Sequence, residues 1–304
     1  MNYQELMNKL KSKEIVLSFS SLKQFARSPE HFIRYKLFKP LPTQAMIFGS
    51  LVDCLIFEKE KLHDKFLIGS TVPTSKNQKA FCDIIIRQVG SVKEISGEMI
   101  DNAFNECYKK GKAIDVYNEL ESYIKGLINN KYPVSQHDID LANRMNEKLY
   151  SNKAGSKLMN KFTETQKKIE FEYLGWKFIG YADAVGENLI CDLKTTDAEP
   201  DKISRFIYQN KTYVQLAIYS YGLKMEKEEF KVLALDKNEN ISVNNISKDY
   251  ILYGLKEFKN WVKDFNKCVM MNKFNYNYDF FGKHKGEYLV NKPLYANTLM
   301  EIYD

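Results

Sequence analysis

The chain has no closely spaced cysteines. Its five, Cys54, Cys82, Cys107, Cys191 and Cys268, are scattered over 304 residues without a Cys-x-x-Cys. That argues against a zinc knuckle or a disulfide framework and fits reduced thiols in a cytoplasm. No apolar run reaches the roughly 18 residues needed to cross a bilayer, so no membrane partner is expected. The opening Met1-Asn2-Tyr3-Gln4-Glu5 lacks the basic-then-apolar build of a signal peptide. There is no internal repeat and no low-complexity linker, which argues against solenoids and tethered arrays. Arginine is scarce beside lysine, and the formal net charge is +6. Such an excess is compatible with a polyanionic partner and does not by itself identify one.

The pattern of the remaining residues divides the chain. Leu17-Ser18-Phe19-Ser20-Ser21-Leu22 reads as a helix start, with Ser18 or Ser20 as N-cap, and the helix stops near Ser28-Pro29. A second helical turn carries Phe32 and Tyr35, Pro40 and Pro42 mark a loop, and Met46 to Glu60 reads as a buried helix containing Gly49 and Asp53. Residues 76–160 are polar and helical in pattern, with breaks near Gly97, Gly111 and Pro133. From about residue 166 the period changes to two. Lys168 to Tyr173 and Lys177 to Tyr181 form a hairpin around Gly175, and Leu189 to Leu193 is a third strand. Tyr213 to Lys224 is a helix, Phe230 to Asp236 and Ile241 to Ile246 are strands, and Tyr250 to Met270 is an amphipathic helix. The gross plan is an α/β chain with a helical N-terminal half and a β-rich core.

The core holds Gly180-Tyr181-Ala182-Asp183, a short gap, then Ile190-Cys191-Asp192-Leu193-Lys194-Thr195-Thr196. Side chains two apart on a strand share a face, so Asp192 and Lys194 project together. Burying either alone is expensive. A metal ion explains the carboxylates, and charge developing on a phosphate explains the lysine. Phosphodiester hydrolysis needs a positioned water and neutralised phosphate charge, and carboxylate-bound Mg²⁺ supplies both. A lysine beside it orients or deprotonates the water, or stabilises the oxyanion. Glu170 or Glu172 on the preceding strand would add a carboxylate, and the sequence does not choose between them. Downstream, Gln215 and Tyr219 share a helical face at i and i+4. Against this stands a plain alternative in which Asp183 closes a turn and Asp192 and Lys194 form a surface pair, because short motifs recur by chance.

Gly-x-x-Asp, Asp-Leu-Lys-Thr-Thr and Tyr-x-x-Gln-x-x-x-Tyr together resemble the PD-(D/E)xK nuclease superfamily. Within it they resemble the phage-type exonuclease VIII branch, relatives of lambda exonuclease and of RecB-like nuclease domains. The segments Ser18 to Lys23, Ser28 to Phe32 and Met46 to Glu58 resemble that branch's opening in order and spacing. The resemblance implies a restriction-endonuclease-like fold, a mixed central sheet flanked by helices. It implies a helical region over 1–160 contributing to the site near Asp53, a nuclease core with its C-terminal helix over 161–273, and an irregular aromatic-rich tail over 274–304, in one compact unit. Asp183 and Asp192 would be metal ligands, Lys194 the catalytic lysine, and Gln215 and Tyr219 supports of the site. Thr195 and Thr196 would help position substrate where the strand exits. Where the family usually has a metal-binding histidine, this chain has Asp53, either an oxygen donor suited to a hard ion or simply a helix carboxylate away from the metal. An iron–sulfur cluster, as in CRISPR-associated relatives, is not expected, because only Cys268 lies beyond Cys191.

The implied activity is a Mg²⁺- or Mn²⁺-dependent DNA exonuclease working from linear duplex ends, 5′ to 3′, in phage-type recombination or repair. The implied partners are DNA, a single-strand annealing protein and further copies of the chain in a ring, in the cytoplasm of a bacterial or phage-infected host cell. Lys202, Arg205 and Lys211 are candidate phosphate contacts. An endonuclease on the same fold and a catalytically weak DNA-binding relative are the rival readings.

Overall fold

A computed structural model describes residues 1–38, 41–89, 94–197, 202–224 and 229–274. Of the expected tail, only Phe274 falls within this range, and the remainder lies outside the described residues. The helices are α1 (Tyr3–Lys11), α2 (Phe19–Arg27), α3 (Pro29–Leu37), α4 (Gln44–Phe57), α5 (Leu62–Lys65), α6 (Lys76–Val89), α7 (Gly97–Cys107), α8 (Ala113–Ile128), α9 (Gln136–Ser151), α10 (Lys153–Met159), α11 (Ile203–Asn210), α12 (Thr212–Leu223) and α13 (Lys248–Met271). The strands are β1 (Phe66–Ile68), β2 (Tyr132–Val134), β3 (Glu164–Tyr173), β4 (Trp176–Gly186), β5 (Leu189–Thr195), β6 (Glu229–Leu235) and β7 (Ile241–Ile246).

Local chemistry sets many of these boundaries. Ser18 accepts from the Ser21 amide while the Ser21 hydroxyl accepts from the Ser18 amide, a reciprocal cap that starts α2. Ser28 ends α2 in an extended conformation and caps α3, with Pro29 at its first position. The β3–β4 hairpin turns through Leu174 and Gly175, both at positive φ (50° and 77°), as a tight two-residue turn requires.

Five strands form a mixed sheet in sequence order, β3-β4-β5-β6-β7. All neighbours are antiparallel except β5 and β6, which run parallel and are connected by way of α11 and α12. One face packs on α1–α3, α12 and α13 through residues such as Leu22, Phe32, Trp176, Phe178, Tyr213 and Phe258. The other packs on α4, α9 and α10 through Leu51, Val52, Met145, Cys191 and Leu193. The expected α/β class with a mixed central sheet and helix-rich N-terminal half is therefore observed. The N-terminal helices divide between the two faces. A third, separate cluster joins α6, α7 and α8.

The structure adds elements that periodicity did not indicate: α1, α11 and the parallel pair β1–β2. Each strand of that pair is three residues long, too short for an alternation to register. Residues 76–160 are not wholly helical for this reason.

Phe258 is fully buried on α13 and meets Phe171, Tyr173, Phe178 and Tyr221 with ring centroids 5.4–6.2 Å apart. Phe258→Ala is expected to cost about 3–5 kcal/mol, measured by denaturant unfolding. A loss below about 1 kcal/mol would mean that this interface does not hold α13 to the sheet.

Candidate active site

The site begins where a ladder stops. β4 and β5 pair only at Ala184↔Cys191, Val185↔Ile190 and Gly186↔Leu189. The next register position is Asp183 opposite Asp192, and there the strands part. The Leu193 amide is taken instead by the Asp183 side chain, with N to Oδ2 at 2.7 Å. The alternation of β4 also slips at this point, since Ala182 packs with one core cluster and Ala184 with the other. Asp183 thus stands where the two faces of the sheet meet.

Asp192 is fully buried. Its Oδ2 forms an ion pair with Lys194 Nζ at 2.6 Å, and its Oδ1 has no hydrogen-bond partner. Lys194 also donates to Gln215 Oε1 at 3.3 Å, and Gln215 Nε2 donates to Tyr219 Oη at 3.1 Å. Gly180 makes this arrangement possible, because a Cβ there would stand 2.7 Å from the Tyr219 ring. Asp53 reaches the same region from α4, and Gly49, one turn earlier, permits the approach. A Cβ at Gly49 would stand 2.8 Å from Thr195 Oγ1.

The electrostatics are those of crowded carboxylates. Burial, and then the charges of Asp192 and Asp53, push Asp183 well above the usual carboxylate range against the pull of Lys194. Burial raises Asp192 despite its ion pair. Asp53 rises from 3.8 to about 6, through burial and the charges of Glu58 and Asp192, opposed by Lys65 and Lys194. Burial alone would lower Lys194, but Asp192 and Asp183 hold it above its ordinary value and keep it a cation. Three oxygen donors in one another's field, one with an orphaned buried oxygen, fit a hard divalent cation. Among the described residues, no three His, Cys, Asp or Glu side chains are gathered closely enough to hold an ion together. Ion binding would therefore draw the aspartates inward.

Glu170 and Glu172 are not brought to this place. Both are exposed on β3, Glu170 pairs with Lys168 at 2.9 Å, and the two line a cleft of about 820 Å³ shared with α12 and α13. The strand puts them on one face, as their spacing requires. Thr195 and Thr196 line a small cleft of about 190 Å³ with Phe48 and Phe206 where β5 ends, and the Thr196 amide extends the ladder to Leu235 O. Lys202 and Arg205 are exposed at α11. Lys211 is engaged internally, bonded to Glu257 at 2.8 Å and to Tyr213 Oη at 3.0 Å.

Two residues were missed in the sequence. Gln166 stands opposite Asp183 in the β3–β4 register, at φ 49° in mid-strand, a strained conformation for a residue with a side chain. Its Nε2 donates to Asp53 Oδ1 at 3.1 Å and Oδ2 at 2.9 Å. Nothing in its neighbourhood signals this, because Asp53 lies 113 positions away. Lys23 on α2 is half-buried, lowered by burial and by the charges of Lys194 and Arg27, and donates to Asn210 Oδ1 at 3.3 Å. A second ammonium is thus held within the field of Lys194 against its repulsion. Its only sequence signal is its place in the Ser18 to Lys23 segment.

Comparisons with known proteins identify the family and the fold. Residues 18–275 match the family model described as "PDDEXK-like domain of unknown function (DUF3799)". A crystal structure from Eubacterium rectale, described as "Putative exonuclease", superposes with a TM-score of 0.55 at 13% identity, covering 98% of each chain. It is similar in fold. The structure of SSO0001 matches at a TM-score of only 0.27 with 17% identity, over 79% of this chain and 94% of that one, and bears on nothing here. No curated protein matches the sequence.

The raised Asp53 carries a pH signature in the metal-free protein. The folded state holds its proton up to about pH 6, whereas the unfolded state releases it near 3.8. The contribution of Asp53 to stability is therefore fully present below that lower value and is lost as pH rises through about 6. Relative to wild type, Asp53→Asn is expected to gain stability over this window, by at most about 2 kcal/mol after allowing for partial exposure. Thermal melts in EDTA from pH 4 to pH 8 measure the gap, and a gap independent of pH would refute the assignment. Gly49→Val is expected to displace α4 from Thr195 and abolish activity while the protein still folds, as read by circular dichroism and a nuclease assay.

Proposed function

Because the chain belongs to the PDDEXK-like family named above and has the nuclease fold of that class, we propose that it is a metal-dependent DNA exonuclease that hydrolyses phosphodiester bonds from linear duplex ends. The observation that carries this reading is the buried Asp192–Lys194 pair at the mouth of the β4–β5 fork, with Asp183 and Asp53 in its field. Asp183 and Asp192, with Asp53 as the third donor, would hold Mg²⁺ or Mn²⁺. The ion, when bound, supplies polarisation of the phosphate and a water of lowered pKa.

The chain's own groups do the rest. In the metal-free protein Asp192 and Asp183 hold Lys194 protonated, which suits it as a cation and donor toward the phosphate oxygens or the attacking water. Gln215 Oε1 accepts a hydrogen bond from it, and Gln215 Nε2 donates to Tyr219 Oη, which restricts where the ammonium points. Gln166 orients Asp53 through both carboxylate oxygens. Lys23 adds positive charge on the α2 side, where a phosphate would be drawn in. Arg205 and Lys202, on α11, extend that charge along the backbone path. Lys211 is tied to Glu257 and contributes less than its neighbours. The wider biological reading is 5′-to-3′ digestion in phage-type recombination or repair, with an annealing protein receiving the exposed strand and a ring of identical chains retaining the DNA.

A linear duplex labelled at either end, incubated beside a closed circle of the same DNA in Mg²⁺, Mn²⁺ or EDTA, tests this. The linear form alone is expected to be lost, only with metal, and Lys194→Ala should slow it by about 10²–10³-fold. The label released first gives the polarity. Cutting of the circle would make the protein an endonuclease. Binding without cleavage of either form would make it a DNA-binding relative.

A further inference from the structure

Four tyrosines from three helices stack at the junction of α11, α12 and α13. Tyr213 is fully buried. Its ring lies 4.2 Å from Tyr250 at 15°, 5.8 Å from Tyr253 at 25°, and 6.2 Å from Tyr208 at 6°. Lys211, in the left-handed conformation at φ 57° between α11 and α12, sits 4.9 Å from the Tyr208 centroid and 5.6 Å from that of Tyr213. Glu257 accepts from both Lys211 and the Tyr213 hydroxyl. The array is therefore locked from within. Its two outer members are not covered: Tyr208 and Tyr253 are each 52% exposed.

Near-parallel rings, held rigid with their outer members half exposed, are what a nucleobase needs to add itself to a stack. The ordering entropy of the aromatic side has already been lost on folding, and base-on-aromatic stacking tolerates any sequence. The surrounding charge suits a phosphate backbone. Arg205 lies one turn before Tyr208 and Lys256 one turn after Tyr253, both exposed. The acid in contact with the stack, Glu257, is neutralised by Lys211. The array also adjoins the proposed site. Asn210, two residues after Tyr208, accepts from Lys23, and Lys23 lies in the field of Lys194.

We propose that the Tyr208–Tyr213–Tyr250–Tyr253 stack is a base-stacking platform for single-stranded DNA beside the catalytic centre. It rests on the nuclease reading for the source of that strand, since digestion of one strand of a duplex leaves the other unpaired. A duplex offers the platform little, because its bases are already stacked on one another. The platform would hold the product strand clear of the site and keep the enzyme on its substrate.

The test uses the full chain in EDTA, where no cleavage occurs. Fluorescence anisotropy reports its affinity for a labelled oligothymidylate and for a hairpin duplex of equal nucleotide count. Tyr208→Ala and Tyr253→Ala are each expected to weaken single-strand binding by about 10-fold and to leave hairpin binding little changed. Tyr208→Phe and Tyr253→Phe, which keep the ring, should bind as wild type does. An oligonucleotide bearing 5-iodouracil should photocrosslink to Tyr208 or Tyr253. Alanine variants that bind the oligothymidylate as tightly as wild type, or crosslinks confined to other segments, would overturn the proposal. The linear-duplex digestion with wild type and Lys194→Ala, run in parallel, reports on the nuclease reading separately. Digestion with unaltered single-strand binding in the alanine variants sinks only the platform. Loss of single-strand binding without digestion by wild type keeps the platform and sinks the nuclease reading.

Discussion

The parting of β4 and β5 at Asp183 and Asp192 is the constraint on which the rest depends. Had the ladder continued, the Leu193 amide would be bonded to β4 backbone and both carboxylates would be locked into the sheet. Because it stops, the Asp183 side chain satisfies that amide, and Asp192 remains buried, paired with Lys194. A buried carboxylate with an orphaned oxygen is costly in a folded chain. It persists here because the five-strand sheet, covered on both faces, holds it in place.

Around that fork, small residues and neutral donors determine how close the other elements come. Gly180 lets the Tyr219 ring lie on β4, and Gly49 lets α4 approach Thr195, so one glycine on each side of the sheet admits a functional helix. Gln215 and Gln166 then play matching parts, one aligning Lys194 and the other Asp53. Both are uncharged, so they fix geometry without altering the charge balance among three carboxylates and an ammonium. The strained backbone at Gln166 falls at the register position opposite Asp183, where local strain is sustained by the structure around a functional site.

The α2 and α11–α13 side of the sheet is where positive charge and aromatic surface gather. Lys23, Arg205 and the tyrosine stack follow one another outward from Lys194 through the Lys23–Asn210 contact. The opposite side, with α4 and Asp53, supplies acid. This division gives the proposed site a polarity, with acidic groups entering from one layer and basic and aromatic groups from the other.

Much of this could be read directly from the chain. Serine caps placed α2, and the Gly175 turn placed the β3–β4 hairpin. The period-two pattern put Asp192 and Lys194 on one strand face, and the i, i+4 spacing put Gln215 and Tyr219 on one helix face. These are local effects, decided within a few residues of backbone. The pairing of Lys194 with Gln215, the clamp of Gln166 on Asp53, the placing of Lys23 near Lys194 and the lining of a separate cleft by Glu170 and Glu172 were decided by tertiary structure. So was the internal neutralisation of Lys211, which looked like a surface cation. Each depends on where a strand slips out of its ladder or how closely a helix can settle on a sheet. Those distances arise from packing between segments tens to hundreds of residues apart, and no periodicity in the sequence encodes them.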